Sequence, residues 1–222
     1  MKMGKCLLLV AILTVLLATP CWGDSGTWYI TAGNQDGYIY ATTLNNSGPA
    51  TMFGYLWSSF HHFQSVTIPQ GATITSCYIK VHNKTSYTYK PVDLHIYLHD
   101  ADTGTNPSTR AEYVGLATTT GTAWQINDNW TANLWYDSGD FSADMEEVVG
   151  RGGWSSGNNI TVLIKNDDAD LTWRQIHTYD SATTNDAELH VEWTAGGGAQ
   201  GGGISGGTGM GSRFFYEEIL EW

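Results

Sequence analysis

Alternation with a period of two restricts this chain more than any other feature. Val92, Leu94, Ile96 and Leu98 are apolar, and Asp93, His95, Tyr97 and His99 lie between them. An extended backbone sends the first set to one face and the second to the other. Cys77, Ile79 and Val81 alternate in the same way with Tyr78, Lys80 and His82, and Leu189, Val191 and Trp193 with Glu188, His190 and Glu192. Ile160, Val162 and Ile164 make a fourth set. A helix cannot gather residues of this spacing onto one stripe. Weaker strands are expected at 27–31, 36–43, 51–57, 59–68, 111–119, 122–127, 134–137 and 173–180. Strands with one apolar face need a second sheet to cover that face. One helix is expected, Ala143 to Val149, with Met145, Val148 and Val149 on one side. The fold class is therefore all-β: a jelly-roll-like antiparallel β-sandwich with one short helix, over residues 24–195. Phe63 is out of phase with Val66 and Ile68, which predicts a bulge near Gln64. Ile68-Pro69-Gln70-Gly71 has the proline and glycine positions of a type I turn.

The two ends of the chain differ from its body. Met1 to Gly23 reads as a secretory signal peptide, with Lys2 and Lys5 ahead of an apolar run of 14 residues, Cys6 to Thr19. That run is too short to span a bilayer. Cys21 and Gly23 are the small residues that place cleavage before Asp24. Cys6 and Cys21 leave with the signal, so Cys77 is alone in the mature chain and reads as a small buried hydrophobe. Residues 196–212 hold 10 glycines in 17 positions and read as a flexible linker. Beyond it, Arg213 to Trp222 carries Phe214, Phe215, Tyr216, Ile219, Leu220 and Trp222. Apolar groups at that density are unfavourable in water, so the segment is expected to dock on its own sandwich, a second copy or another protein. Periodicity leaves strand and helix open for it.

Charge excludes some partners. Lys and Arg total 10 against 22 Asp and Glu, a formal charge of −12. Loss of Lys2 and Lys5 leaves eight of the ten basic residues and a charge of −14. Nucleic acid requires a clustered cationic footprint, and anionic lipid attracts basic segments, so neither is expected as a partner.

The stretch Phe63-Gln64-Ser65-Val66-Thr67-Ile68-Pro69-Gln70-Gly71-Ala72-Thr73-Ile74-Thr75-Ser76-Cys77-Tyr78-Ile79-Lys80-Val81 resembles the start of a family of secreted β-sandwich modules. These are the DNRLRE-type and carbohydrate-binding-module-like domains of bacterial and archaeal surface proteins. Leu94 to Asp102, Trp130, Met145 to Asn158 and Ala187 to Trp193 fit the same pattern, so the resemblance covers about 60–194. It implies an extracellular module without catalytic machinery, used as a spacer or glycan binder. Cys77 stands where the pattern has a small alanine. Such modules belong to long multidomain chains, and no second domain is read here.

Motifs for chemistry fail their context. Gly153-Trp154-Ser155-Ser156-Gly157 matches G-x-S-x-G, but a nucleophile elbow follows a strand and precedes a helix, the reverse of the order here. His95 and His99 share a face yet lie roughly 13 Å apart on an extended strand, too far for one metal. Asp100-Ala101-Asp102 and Asn166 to Asp170 lack full calcium-loop spacing and read as solvated turns. No catalytic residue, metal site or cofactor is assigned. Trp124, Trp130, Trp135, Trp154 and Trp173 fall near strand ends and loops, where an exposed indole can stack on a sugar ring. Asn45, Asn83, Asn129 and Asn159 head N-glycosylation sequons.

The reading that results is a secreted, non-catalytic structural or adhesive subunit of a surface layer, fibre or pilus-like coat. Its partners would be copies of itself or other surface proteins, joined by strand donation through Trp28 and Ile30 near the start and through the apolar segment 213–222. A carbohydrate-binding module using the exposed aromatics is the alternative, with polysaccharide as ligand; a polysaccharide-active enzyme ranks third.

Overall fold

The computed structural model of the chain describes residues 23–88, 90–166, 171–181 and 184–196. Its strands are β1 (Gly23–Tyr29), β2 (Asp36–Tyr40), β3 (Thr43–Asn45), β4 (Thr51–Gly54), β5 (Trp57–Val66), β6 (Thr73–His82), β7 (Val92–Leu98), β8 (Thr122–Ile126), β9 (Trp135–Asp137), β10 (Asn158–Lys165), β11 (Trp173–Ile176) and β12 (Glu188–Thr194). Two helices, α1 (Arg110–Gly115) and α2 (Ser142–Val149), interrupt them.

The smaller sheet runs β1-β12-β6-β9, and the larger runs β11-β4-β5-β10-β7-β8 with β2 and β3 branching from β5. All pairs are antiparallel. Five of them are nested in sequence: β7 with β8, β6 with β9, β5 with β10, β4 with β11, and β1 with β12. This is the pairing of one long hairpin rolled into two layers, the jelly roll. The hairpin of β2 and β3 is an addition to it.

The alternating sets form the interlayer core. Cys77, Ile79, Val81, Leu189 and Val191 from one sheet meet Phe63, Leu94, Ile96, Val162 and Ile164 from the other, all nearly inaccessible. Each large side chain buried this fully contributes roughly 1.5–3 kcal/mol of transfer free energy. The larger sheet also buries its outer side, where Ile39, Phe60 and Leu163 pack under Tyr113 of α1. The bulge falls where alternation breaks: Ile160 faces Phe63, but Asn158 faces Val66, so β5 carries the extra residue. Ser65 takes φ of +54° there, and its amide donates to Asn159 Oδ1 at 3.1 Å.

Several local expectations need correction. The strand expected over 27–31 runs over Gly23–Tyr29, and that over 36–43 divides into β2 and β3 at a turn at Ala41 and Thr42. Residues 111–119 are not a strand, and the sandwich has two short helices rather than one. Thr109 Oγ1 accepts from the Glu112 amide at 3.2 Å, and Glu112 Oε2 accepts from the Thr109 amide at 3.3 Å. This capping box starts α1 and turns Tyr113 onto the sheet. The turn after Ile68 is displaced by one residue: Ala72 donates to the Pro69 carbonyl at 3.2 Å, and Gly71 takes the positive-φ position at +68°. The strand expected over 173–180 stops at Ile176, because Tyr179 turns away to donate its amide to Asp36 Oδ2 at 3.0 Å.

Candidate functional site

Three of the five tryptophans expected to stack on glycans belong to the core. Trp124, Trp130 and Trp154 are 5%, 4% and 2% exposed, so none has a free ring face. Trp124 and Trp130 close around Phe53, with ring centroids 5.5 and 6.3 Å from it. Trp154 instead donates Nε1 to the Ile68 carbonyl at 2.9 Å. The buried Arg174 guanidinium lies 5.0 Å from the Tyr87 ring and 5.5 Å from that of Trp130, and it donates to the Trp173 and Lys90 carbonyls. Ring faces and carbonyl oxygens replace the water it lost, though burial still holds its pKa below the ordinary value. Trp135 is half-buried against His82 at 4.8 Å, with Lys80 Nζ 5.8 Å from its ring.

Trp173 has a different setting. Register places it opposite Gly54, Gly54 opposite Trp57, and Trp57 opposite Tyr40. Gly54 has no side chain to separate its neighbours, and the Trp57 and Trp173 rings meet at 5.2 Å. Tyr40 stacks on Trp57 at 5.0 Å, and Tyr55 approaches it at 5.9 Å. Tyr40, Leu56 and Leu171 are exposed beside this cluster, the last by 72%. The result is a row of partly uncovered aromatic rings at one end of the larger sheet. Tyr40, Tyr55 and Trp57 are absent from the sequence-based set, since only the register across β2, β5, β4 and β11 brings them to Trp173.

The smaller sheet ends on β1. All seven of its residues pair with β12, from Gly23 opposite Thr194 to Tyr29 opposite Glu188. The Ser25 amide donates instead to Asp24 Oδ1 at 2.9 Å, which directs it away from β12. By alternation, Gly23, Ser25, Thr27 and Tyr29 turn their backbone groups to the open edge. The two docking residues expected near this end are already engaged within the chain. Ile30 is 3% exposed in the core, which removes it as a docking residue. Trp28 is half-buried, 6.1 Å from Trp193, and donates Nε1 to the Ser65 carbonyl at 3.2 Å. Phe214, Phe215, Tyr216, Ile219, Leu220 and Trp222 lie outside the described residues, as do residues 1–22 of the expected signal peptide and residues 197–212 of the expected linker.

On the outer face beside β1, the His190 ring stacks on Tyr78 at 4.9 Å and 3°. Its Nε2 lies 2.8 Å from Glu188 and its Nδ1 3.1 Å from Thr27 Oγ1. The adjoining depressions are shallow and open, lined by Ser25, Thr75, Tyr78 and Glu192. Burial, with Asp137, Glu192 and Glu188 nearby, holds the Tyr78 hydroxyl pKa above its usual value.

Two carboxylates are buried where the β1–β2 loop meets the segment before β12. Burial, reinforced by the negative charges of Asp186 and Asp180, raises the Asp36 pKa to about 7, although the Tyr179 amide opposes the shift. Burial likewise raises Asp186 to about 6. On the adjacent strand, burial lowers His61 to about 3; burial and then the charge of His99 lower His62 to about 4. Among the described residues, no group of three or more His, Cys, Asp or Glu is arranged to hold a metal ion.

The remaining motifs have structural settings. Ser155 is exposed in the turn between α2 and β10. Cys77 is fully buried, and burial raises its thiol pKa. Arg151 bridges Asp100 and Asp102, joining the latter at 2.9 Å; residues 167–170 of the second acidic loop lie outside the described residues. Asn83 is fully buried, and its Nδ2 donates to the Thr85 carbonyl at 2.7 Å, so this sequon is closed to glycosylation in the folded chain. Asn45 and Asn159 are half-buried, the latter holding the β5 bulge, and Asn129 is exposed. No protein-family model matches the chain, and no curated protein matches it.

Proposed function

We propose that the protein is an exported, non-catalytic structural or adhesive subunit that joins other copies through the open edge of β1. The observation that carries this reading is the contrast among the sheet margins. Most are short, with three residues in β9, four in β11 and five in β8. Short edge strands limit unwanted pairing, as do lysines and prolines placed on the edge. β1 is seven residues long, six of them from Asp24 onward, and contains no Lys, Arg or Pro. An edge of that length, with unpaired backbone groups at alternate residues, accepts another strand through hydrogen bonds alone. The test is the mass distribution and electron microscopy of the mature chain from Asp24. Multimers or filaments are expected, lost in Thr27→Pro, which removes one outward amide and leaves the β12 ladder in place. Monomers at high concentration, or multimers indifferent to this substitution, refute the reading.

The aromatic row favours a second reading, carbohydrate binding. The faces of Tyr40, Trp57 and Trp173 offer the apolar surface on which sugar C–H faces desolvate. Affinity electrophoresis against a polysaccharide panel tests it: Trp57→Ala and Trp173→Ala should each abolish any retardation without unfolding the protein. No retardation on any polysaccharide counts against it.

A further inference from the structure

The open edge of β1 needs an occupant. We infer that residues 213–222 of a second copy fill it, an inference that rests on the assembly reading above. The described chain leaves the sandwich at Gly196, two residues past β12, and Thr194 of β12 is paired with Gly23 at the start of β1. The tail therefore departs from the end of the sheet at which the acceptor strand begins. Residues 197–212 are 16 positions rich in glycine, and a sequence of that composition and length would reach roughly 22 Å root mean square if it behaves as a random coil. The six residues of β1 from Asp24 onward make roughly 20 Å of extended strand. To pair antiparallel with its own β1, the tail must use nearly all of that reach before reversing. A β1 presented by a copy beyond that end of the sheet makes no such demand.

The side chains agree with the geometry. Gly26 and Trp28 are the half-buried positions of β1, while their neighbours in the strand are exposed. A Cβ at Gly26 would overlap the Trp28 ring, so the indole lies back along its own strand and forms an apolar wall at the open margin. Read as a strand, 213–222 places Phe214, Tyr216, Leu220 and Trp222 on one face. Beside β1 that face continues the inner layer over Trp28, and the outward amides of Thr27 and Tyr29 gain acceptors, while that of Ser25 can exchange Asp24 Oδ1 for a backbone carbonyl. Donor and acceptor are different surfaces, so the contact is heterologous and propagates, whereas β1 pairing with β1 closes on itself as a dimer.

Two variants of the full mature chain separate these outcomes. Thr27→Pro keeps the donor segment and spoils the acceptor, with Tyr29→Pro as a second acceptor variant should the first fail to fold. Leu220→Asp combined with Trp222→Asp spoils the donor and keeps the acceptor. Light scattering is expected to give many-fold the mass of one chain for the parent and one chain for each variant alone. An equimolar mixture of the two should give twice the mass of one chain and no more, because the single competent contact ends in two blocked surfaces. If the donor variant still forms dimers that Thr27→Pro abolishes, β1 pairs with itself; the assembly reading stands and this inference falls. A monomeric parent whose Ser25, Thr27 and Tyr29 amides exchange faster in the donor variant places the tail on its own β1, which also overturns it. If neither variant changes the mass of a multimeric parent, both readings fall.

Discussion

Replacing Asp36 with asparagine should stabilise the fold at neutral and alkaline pH, by an amount that grows with pH. Asp36 is 1% exposed, and its pKa is raised from 3.8 to about 7 by burial and by Asp186 and Asp180. The folded state therefore holds a proton between those values that the unfolded chain releases. The associated stability is complete below 3.8 and lost as pH rises through about 7. Asparagine carries no charge at either pH and still offers Tyr179 an oxygen acceptor. By pH 5 the wild type has surrendered about 1 of the 3 units, and by pH 8 all of them. At about 1.4 kcal/mol per unit, the stability gap between variant and wild type should widen by about 3 kcal/mol over that interval. Urea denaturation of both proteins at pH 5 and pH 8 measures it. Asp186, His61 and His62 also titrate, but they are common to the two proteins and cancel to first order in the difference. A gap that stays constant, or that narrows toward pH 8, refutes the account of Asp36 as an uncompensated buried carboxylate.

On the acid side the sign reverses. His61 and His62 are held down to about 3 and about 4, so their stabilising effect is complete above 6.5 and lost as pH falls through those values; circular dichroism should show unfolding well before pH 3, and a fold intact at pH 3 refutes this. Thr109→Ala removes the capping box of α1 and should lower stability by about 1 kcal/mol in urea titration. Phe63 is fully buried beside the β5 bulge, and Phe63→Ala should lower stability by about 3–5 kcal/mol by the same measurement.

The layers of the fold were legible where strands such as β7 and β12 bury one side only. Val92 to Leu98 alternates throughout, and burial follows it residue by residue. The bulge was legible for the same reason, as a phase error between Phe63 and Val66. What alternation does not carry is the partner of each strand. Glu112 lies three residues after Thr109, so the signal for α1 was present, but Tyr113, Val114 and Leu116 form an apolar run that also suits a strand. The local hydrogen-bonding pair decided between the two. The expected turn at 68–71 failed on a similar detail: proline fits two adjacent registers, and Gly71 supplies the positive φ that selects one.

The candidate site was less legible because an aromatic residue does not carry its exposure in its type. Trp124 is in phase with buried Ile126, so its place in the core could be read from β8 alone. Trp57 could not, since its neighbours Tyr40 and Trp173 lie on strands remote in sequence, and their contact requires a glycine at position 54 between two tryptophans. Asp36 is the extreme case. Its carboxylate owes its environment to an amide 143 residues away and to two further acids in the same distant segment. Long-range register, rather than local pattern, creates both the aromatic row and the strained charge. The open edge is the converse. Among the described residues no strand pairs with the outer side of β1, and its lack of basic residues and proline is visible in the sequence, but its bounds, Gly23–Tyr29 rather than the expected 27–31, and its position at the margin of the sheet had to come from the fold.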